Sequence, residues 1–221
     1  MTALDLDFVR GRFPAFAEPS LAGQVFMENA GGSYPAAATV ERLTRFYRET
    51  RVQPYAPYAA SEAAGRAMDE ARARLAAHLN IAEDELVIGP STTQNAYVLA
   101  NAFAEMFAPG DEIVVTNQDH EANSGPWRRL AARGLTVREW QVDPETGHLD
   151  PAALDRLLSE RTRLVAFPHA SNIVAEINPV AAICGRIRAA GAVSVVDGVS
   201  AAPHGLPDIA ALGADIYLFS A

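Results

Sequence analysis

Val193-Ser194-Val195-Val196 is a short β-branched run that ends in Asp197-Gly198. A strand with so few polar residues is covered on both faces, as strands of parallel sheets are. Working outward, similar runs recur at Leu86-Val87-Ile88, Ile113-Val114-Val115, Leu135-Thr136-Val137, Leu164-Val165-Ala166-Phe167 and Ile216-Tyr217-Leu218-Phe219. Helical stretches separate them, near 92–107, 123–133, 151–159, 179–190 and 208–212. Strands alternating with helices predict right-handed βαβ units, hence an α/β fold of three layers (αβα) around a mostly parallel sheet.

The N-terminal part reads differently. Residues 1–34 are irregular, punctuated by Gly11, Pro14, Pro19, Gly23, Gly31 and Gly32. Within them Val25-Phe26-Met27 reads as a strand running into the turn Glu28-Asn29-Ala30-Gly31-Gly32. Pro35 opens a helix to about Thr50, with Val40, Leu43 and Tyr47 on one face. Residues 51–60 hold Pro54 and Pro57 and form a loop. Ser61 is the expected cap of a second helix to about Asn80, with Met68, Leu75 and Leu79 as its apolar stripe.

Composition excludes several classes. The 221 residues are 49% hydrophobic and 20% charged, which fits a globular protein rather than a disordered tail or a rod. No apolar run approaches the ~20 residues that span a bilayer, and the acidic start (Asp5, Asp7) is no signal peptide. With 18 basic and 27 acidic residues the net charge is −9, which argues against nucleic acid as a partner. The single cysteine, Cys184, cannot form an internal disulfide, so the expected compartment is a reducing cytoplasm. All 18 basic residues are arginine, as a GC-rich genome would favour. Without lysine no side chain here can form a Schiff base with a carbonyl, and a Walker A loop is excluded.

Successive strand ends carry chemistry. Gly89-Pro90-Ser91-Thr92-Thr93-Gln94-Asn95 lies between a strand and a helix, where hydroxyls and free amides make an anion site, or Ser91 or Thr92 simply caps the helix. Asp119-His120-Glu121-Ala122-Asn123 places an imidazole at a strand end, able to stack on a ring or carry protons. It starts like a zinc H-E-x-x-H motif, but Ser124 follows and the second histidine is missing. Ser171-Asn172-Ile173-Val174 offers an amide to a ligand oxygen, or only turn chemistry. Asp197 at a strand tip needs a cation or a donor, either an arginine or a protonated ring nitrogen. An anion site, an imidazole, an amide and a carboxylate in chain order suit a phosphorylated aromatic cofactor.

Over nearly its whole length, from Phe13-Pro14 to Phe219-Ser220, the chain resembles the class V aminotransferase family of pyridoxal-phosphate enzymes, its cysteine desulfurase-like branch in particular. The matching segments are Phe26-Met27-Glu28-Asn29-Ala30-Gly31, Ser91-Thr92-Thr93-Gln94, Asp119-His120-Glu121-Ala122-Asn123-Ser124-Gly125-Pro126-Trp127, Ser171-Asn172-Ile173 with Ile177-Asn178-Pro179, Val196-Asp197-Gly198 and Phe219-Ser220-Ala221. The resemblance implies the partial large domain of a fold-type-I transferase and pyridoxal 5'-phosphate as cofactor. Thr92, Thr93 and Ser220 would bind its phosphate, and His120 would stack on its ring. Asn172 would lie near the ring hydroxyl and Asp197 would face the ring nitrogen. His120 and Asp197 are the expected catalytic residues, with no metal. Asn29, Ala30 and Gly31 would line the substrate side. Ser200 replaces the family's usual glutamine, and Gln94 its usual glutamate. Cys184 matches no catalytic position and reads as a small core residue.

The resemblance also implies a division into a segment over 1–60 on the substrate side and a cofactor-binding domain over 61–221. A homodimer acting on a small amino acid follows from it, with Arg51 and Tyr55 as contacts to the partner. The last strand ends just before Ala221, where a functional loop would begin, and the family's lysine and smaller C-terminal domain would follow. A longer natural chain, with a lysine shortly after Ala221, is therefore expected. Three other readings stay open. The enzyme would be an epimerase, lyase or aminotransferase, or the chain a lysine-free scaffold, or a metal hydrolase using Asp119, His120, Asp197 and His204.

Overall fold

The computed structural model describes residues 4–28 and 31–220. The chain forms two compact units, Met1–Ala73 and Arg74–Ala221. In the first, α1 (Leu6–Gly11) is capped by Asp5, whose carboxylate accepts the Phe8 N–H at 2.9 Å. α2 (Ala37–Arg45) continues as a π-helical turn, Phe46–Thr50, so the single helix expected from Pro35 starts later and changes pitch. Val25-Phe26-Met27 forms no strand among the described residues. α3 (Ala59–Leu79) begins before Ser61, which corrects the capping expectation. The fully buried Ser61 hydroxyl instead accepts from the Ala56 N–H at 2.7 Å and donates to the Gln53 carbonyl at 2.5 Å, clamping the preceding loop.

The second unit is the α/β layer structure. Its elements are α4 (Thr92–Ala104), β1 (Glu112–Thr116), α5 (Glu121–Arg128), β2 (Thr136–Trp140), α6 (Pro151–Leu157), β3 (Thr162–Pro168), α7 (Val180–Ala189), β4 (Val193–Asp197), α8 (Ile209–Leu212) and β5 (Ile216–Leu218). The strands form one parallel five-stranded sheet in the order β2-β1-β3-β4-β5. Successive strand residues point to opposite faces, and two cores result. Ile113, Val115, Leu164, Ala166 and Val195 pack with Ala96 and Ala100 of α4 and Trp127 of α5. Val114, Val165, Phe167 and Val196 pack with Leu154 of α6 and Ile183, Cys184 and Ile187 of α7. Trp127, Trp140 and Phe167 are fully buried, each contributing on the order of 1.5–3 kcal/mol by leaving water. Cys184 is the small core residue expected, and burial pushes its thiol up.

Leu86-Val87-Ile88 departs from expectation. Leu86 is buried against Ala76 and Leu79, while Val87 and Ile88 are exposed. Among the described residues no strand forms over these three positions. From β1 the chain passes to β2 on one side. From β3 it proceeds through β4 to β5 on the other. The topological switch point therefore lies between β1 and β3, and open α/β sheets bind ligands in the crevice beyond such a point. No helix among the described residues is long and apolar enough to cross a membrane.

Candidate active site

Two hydroxyls meet where β5 ends beside α4. Ser91 caps the helix by accepting the Gln94 N–H at 3.1 Å, which tests the capping reading and bears it out. Its carbonyl accepts from the Asn95 N–H. The Thr92 and Thr93 amides make no hydrogen bond among the described residues and remain donors to an anion. The buried Thr92 Oγ1 lies 3.2 Å from Ser220 Oγ, across 128 residues of chain. Thr93 is exposed on the same first turn. The resemblance put Thr92 and Ser220 in one site, and the end of β5 beside the start of α4 brings them together.

Asp197 ends β4 and is 6% exposed. Its Oδ1 accepts the Val199 N–H at 2.8 Å. Burial drives its pKa upward, against that N–H and the nearby His120, which lower it. A carboxylate with one backbone donor and few water contacts is suited to a cation. Gly198 follows because a side chain there would collide with Tyr217: a Cβ would stand 2.1 Å from the phenol oxygen. Tyr217 in turn meets His169 Nδ1 at 2.8 Å, and the His169 N–H donates to the Asp197 carbonyl at 2.7 Å. The carboxyl end of β4 is thus gripped from both neighbouring strands.

His120 is exposed and caps α5 with its own ring: Nδ1 accepts the Ala122 N–H at 3.0 Å. The cap fixes the imidazole and leaves the neutral ring's proton on Nε2. Asp119 and Asn123 lie behind it, in the motif quoted for the resemblance but with no role assigned there. Asp119 Oδ2 accepts from Asn123 Nδ2 at 2.6 Å, and Oδ1 accepts the His120 N–H at 2.8 Å. Burial first, and the charge of Asp197 second, hold the Asp119 carboxyl well above its ordinary value. The signal for this pair in the sequence is the i, i+4 spacing of Asp and Asn at a helix start.

Asn172 is exposed at the tip of a turn that Ser171 organises, its Oγ accepting the Ile173 and Val174 N–H groups at 3.2 and 3.3 Å. The turn chemistry is present, and the Asn172 side chain makes no hydrogen bond among the described residues. Ser200 is half-buried in the turn after β4, its hydroxyl likewise without a bond among the described residues. Gly31 is exposed, its N–H donating to Glu28 Oε1 at 3.0 Å, while Asn29 and Ala30 lie outside the described residues. Tyr55 is exposed and donates to Asp69 Oδ1 at 2.7 Å, and Arg51 is exposed, its guanidinium 5.7 Å from the Tyr47 ring centroid. Among the described residues no three His, Cys, Asp or Glu side chains gather to hold a metal ion, and His204 is exposed.

The residues present fit a phosphorylated pyridine. Two hydroxyls and free helix amides suit a phosphate, and a buried, singly donated carboxylate suits a protonated ring nitrogen. The parallel sheet between helix layers, with these strand-end groups, is the fold of the large domain of fold-type-I pyridoxal-phosphate enzymes. The chain belongs to the aminotransferase class-V family, whose model matches residues 25–221. It is 40% identical to an aminotransferase-like protein, FGM3, of Gibberella zeae, covering 99% of this chain and 55% of that protein. It is 37% identical to a cysteine desulfurase of Dickeya dadantii, over 97% of this chain and 53% of that protein. Among solved structures, the apo cysteine desulfurase of Thermococcus onnurineus superposes with a TM-score of 0.90 at 26% identity, covering 100% of this chain and 54% of that one. The cysteine desulfurase CsdA of Escherichia coli gives 0.85 at 27% identity, over 99% and 55%. The chain spans about half the length of the relatives it matches.

Proposed function

We propose that this chain carries the cofactor-binding part of a cytoplasmic, homodimeric pyridoxal 5'-phosphate enzyme that acts on a small amino acid in a cysteine desulfurase-like reaction. The observation that carries the reading is the Thr92–Ser220 hydroxyl pair at 3.2 Å, at a helix N-terminus, with Asp197 buried at the end of the neighbouring strand. Bound there, pyridoxal phosphate supplies an electron-accepting ring. Thr92, Thr93 and Ser220 would hold its phosphate. Asp197 would keep a proton on the ring nitrogen, the charge pair offsetting the cost of its burial. His120, fixed by its cap, would cover one ring face, with Asn172 and Ser200 beside the ring hydroxyl. Asn29, Ala30 and Gly31 would line the substrate side, and Arg51 and Tyr55 would meet the partner subunit. The segment over 1–60 and the domain over 61–221 would divide these roles. An epimerase, lyase or aminotransferase would use the same groups.

Equilibrium dialysis of the chain against pyridoxal 5'-phosphate tests the reading. Saturable binding is expected, with inorganic phosphate competing. Thr92→Val should weaken it by roughly tenfold, as loss of a hydrogen bond to a charged group does. Asp197→Ala should leave phosphate competition intact while weakening the cofactor. Absence of binding, or indifference to both substitutions, would overturn it. No lysine lies within the 221 residues. Borohydride treatment followed by mass spectrometry should then find no side-chain adduct in this chain, and Met1's α-amino group is the control.

A further inference from the structure

The loops leaving β1 and β3 part at the switch point, and a buried polar network joins them again. Gln118 is 3% exposed and Asn178 4%. Asn178 Nδ2 donates to Gln118 Oε1 at 2.7 Å and to the Pro168 carbonyl at 2.8 Å. Gln118 Nε2 donates to the Gly147 carbonyl at 2.8 Å, and the Gln118 carbonyl accepts from Ser171 Oγ at 3.2 Å. Backbone bonds from Asn178 to His169 and from Ser171 to Glu176, at 2.8 and 2.9 Å, fold residues 169–178 back on themselves. Gly147 belongs to a third loop. Its φ is +75°, and a Cβ there would touch Val174 at 3.4 Å.

The two side-chain amides are joined to each other and to the backbone of two loops. Both protons of the Asn178 amide nitrogen are engaged, and Gln118 accepts on one side while donating on the other. Removing Asn178 takes a donor from the buried Pro168 carbonyl, and removing Gln118 leaves the buried Asn178 amide without one of its acceptors, costs an exposed bond would not carry. Gln118 immediately precedes Asp119 and His120, and Ser171 immediately precedes Asn172. Uncharged amides also add no charge beside Asp119 and Asp197, both of which burial already pushes toward the protonated form.

We infer that Gln118 and Asn178 are positioning residues that hold the His120 turn and the Asn172 turn in fixed register across the switch point. That the two turns frame a cofactor rests on the function proposed above; the coupling between them does not.

Hydrogen exchange followed by mass spectrometry on the whole chain separates the two. Asn178→Ala should speed exchange in residues 117–123 by roughly tenfold as well as in 169–178, while β4 is unchanged. Gln118→Met, close in length and without polar ends, should speed exchange in 169–178, so that either variant suffices if the other fails to fold. Loosening confined to the mutated loop would overturn the inference, because a merely local role moves only that loop. Pyridoxal 5'-phosphate affinity is read on the same samples, and both variants should bind it more weakly. Coupled exchange without cofactor binding by the unmodified chain would sustain the positioning role and overturn the cofactor reading. Cofactor binding with uncoupled exchange would do the reverse.

Discussion

The two units treat similar apolar residues in opposite ways. In Arg74–Ala221, Trp127, Trp140, Phe167 and Ile113 are 0% exposed. In Met1–Ala73, Phe8 is 58% exposed, Leu43 55%, Tyr47 61% and Met27 86%. The sheet explains the first set, because each strand presents one row of side chains to each helix layer. The second set sits on short helices and irregular chain. An amphipathic helix draws most of its stability from a covered face. The α2 residues Val40 and Leu43, with Phe46 and Tyr47 beyond them, are exposed. In the proposed homodimer a partner would cover such a face.

The largest expected effect lies in the sheet unit. Trp127→Ala should lower unfolding free energy by about 3–5 kcal/mol in denaturant titrations, through lost burial and a cavity. If the same titration showed only a few tenths, the sheet unit would be no better packed than the N-terminal one.

Gly198→Ala comes next. The new Cβ would meet the Tyr217 ring, so a loss of about 1–3 kcal/mol is expected. Adding Tyr217→Leu should recover most of it, and full additivity of the two changes would show that the collision is not the cause.

Acid titration sharpens the comparison further. Asp119 and Asp197 both have pKa values raised by burial in the folded chain. Above an unfolded value of ~3.9, the folded state holds protons that the unfolded state has released. Stability contributed by the protonated forms is therefore complete below that value and falls as pH rises toward the folded values, by up to ~1.4 kcal/mol per proton per pH unit. Denaturant midpoints measured from pH 4 upward should decline less steeply in Asp119→Asn than in the parent. An identical slope would mean that Asp119 ionises normally.

The smallest effect belongs to the N-terminal unit. Leu43→Ser should change the stability of the isolated chain by less than about 0.5 kcal/mol, since the side chain is already half in water. Sedimentation should show weaker self-association of the same variant. A large stability loss without any change in association would place Leu43 in a core.

Much of the sheet unit was legible from residue type. Ile113-Val114-Val115 and Val193-Ser194-Val195-Val196 are buried strands because β-branched residues pack well between two layers. Leu86-Val87-Ile88 looks identical by that criterion and is not a strand, because propensity is local and pairing is not. Ser61 precedes a helical pattern as a cap would, yet it lies in the first turn of the helix and its hydroxyl closes the preceding loop. Residue type distinguishes neither case, because strand pairing and loop closure both depend on partners elsewhere in the chain.

The sequence by itself determined the alternation of strands and helices, the parallel sheet that follows from it, and the chemical character of each strand end. Those depend on periodicity and on side-chain identity, which are written locally. Only the tertiary structure decided which strand ends meet. Thr92 and Ser220 touch because β5 ends beside the start of α4, and Gln118 reaches Asn178 because β1 and β3 are neighbours. The buried state of Asp119 was decided the same way, since desolvation is a property of everything packed around a group and not of the group itself.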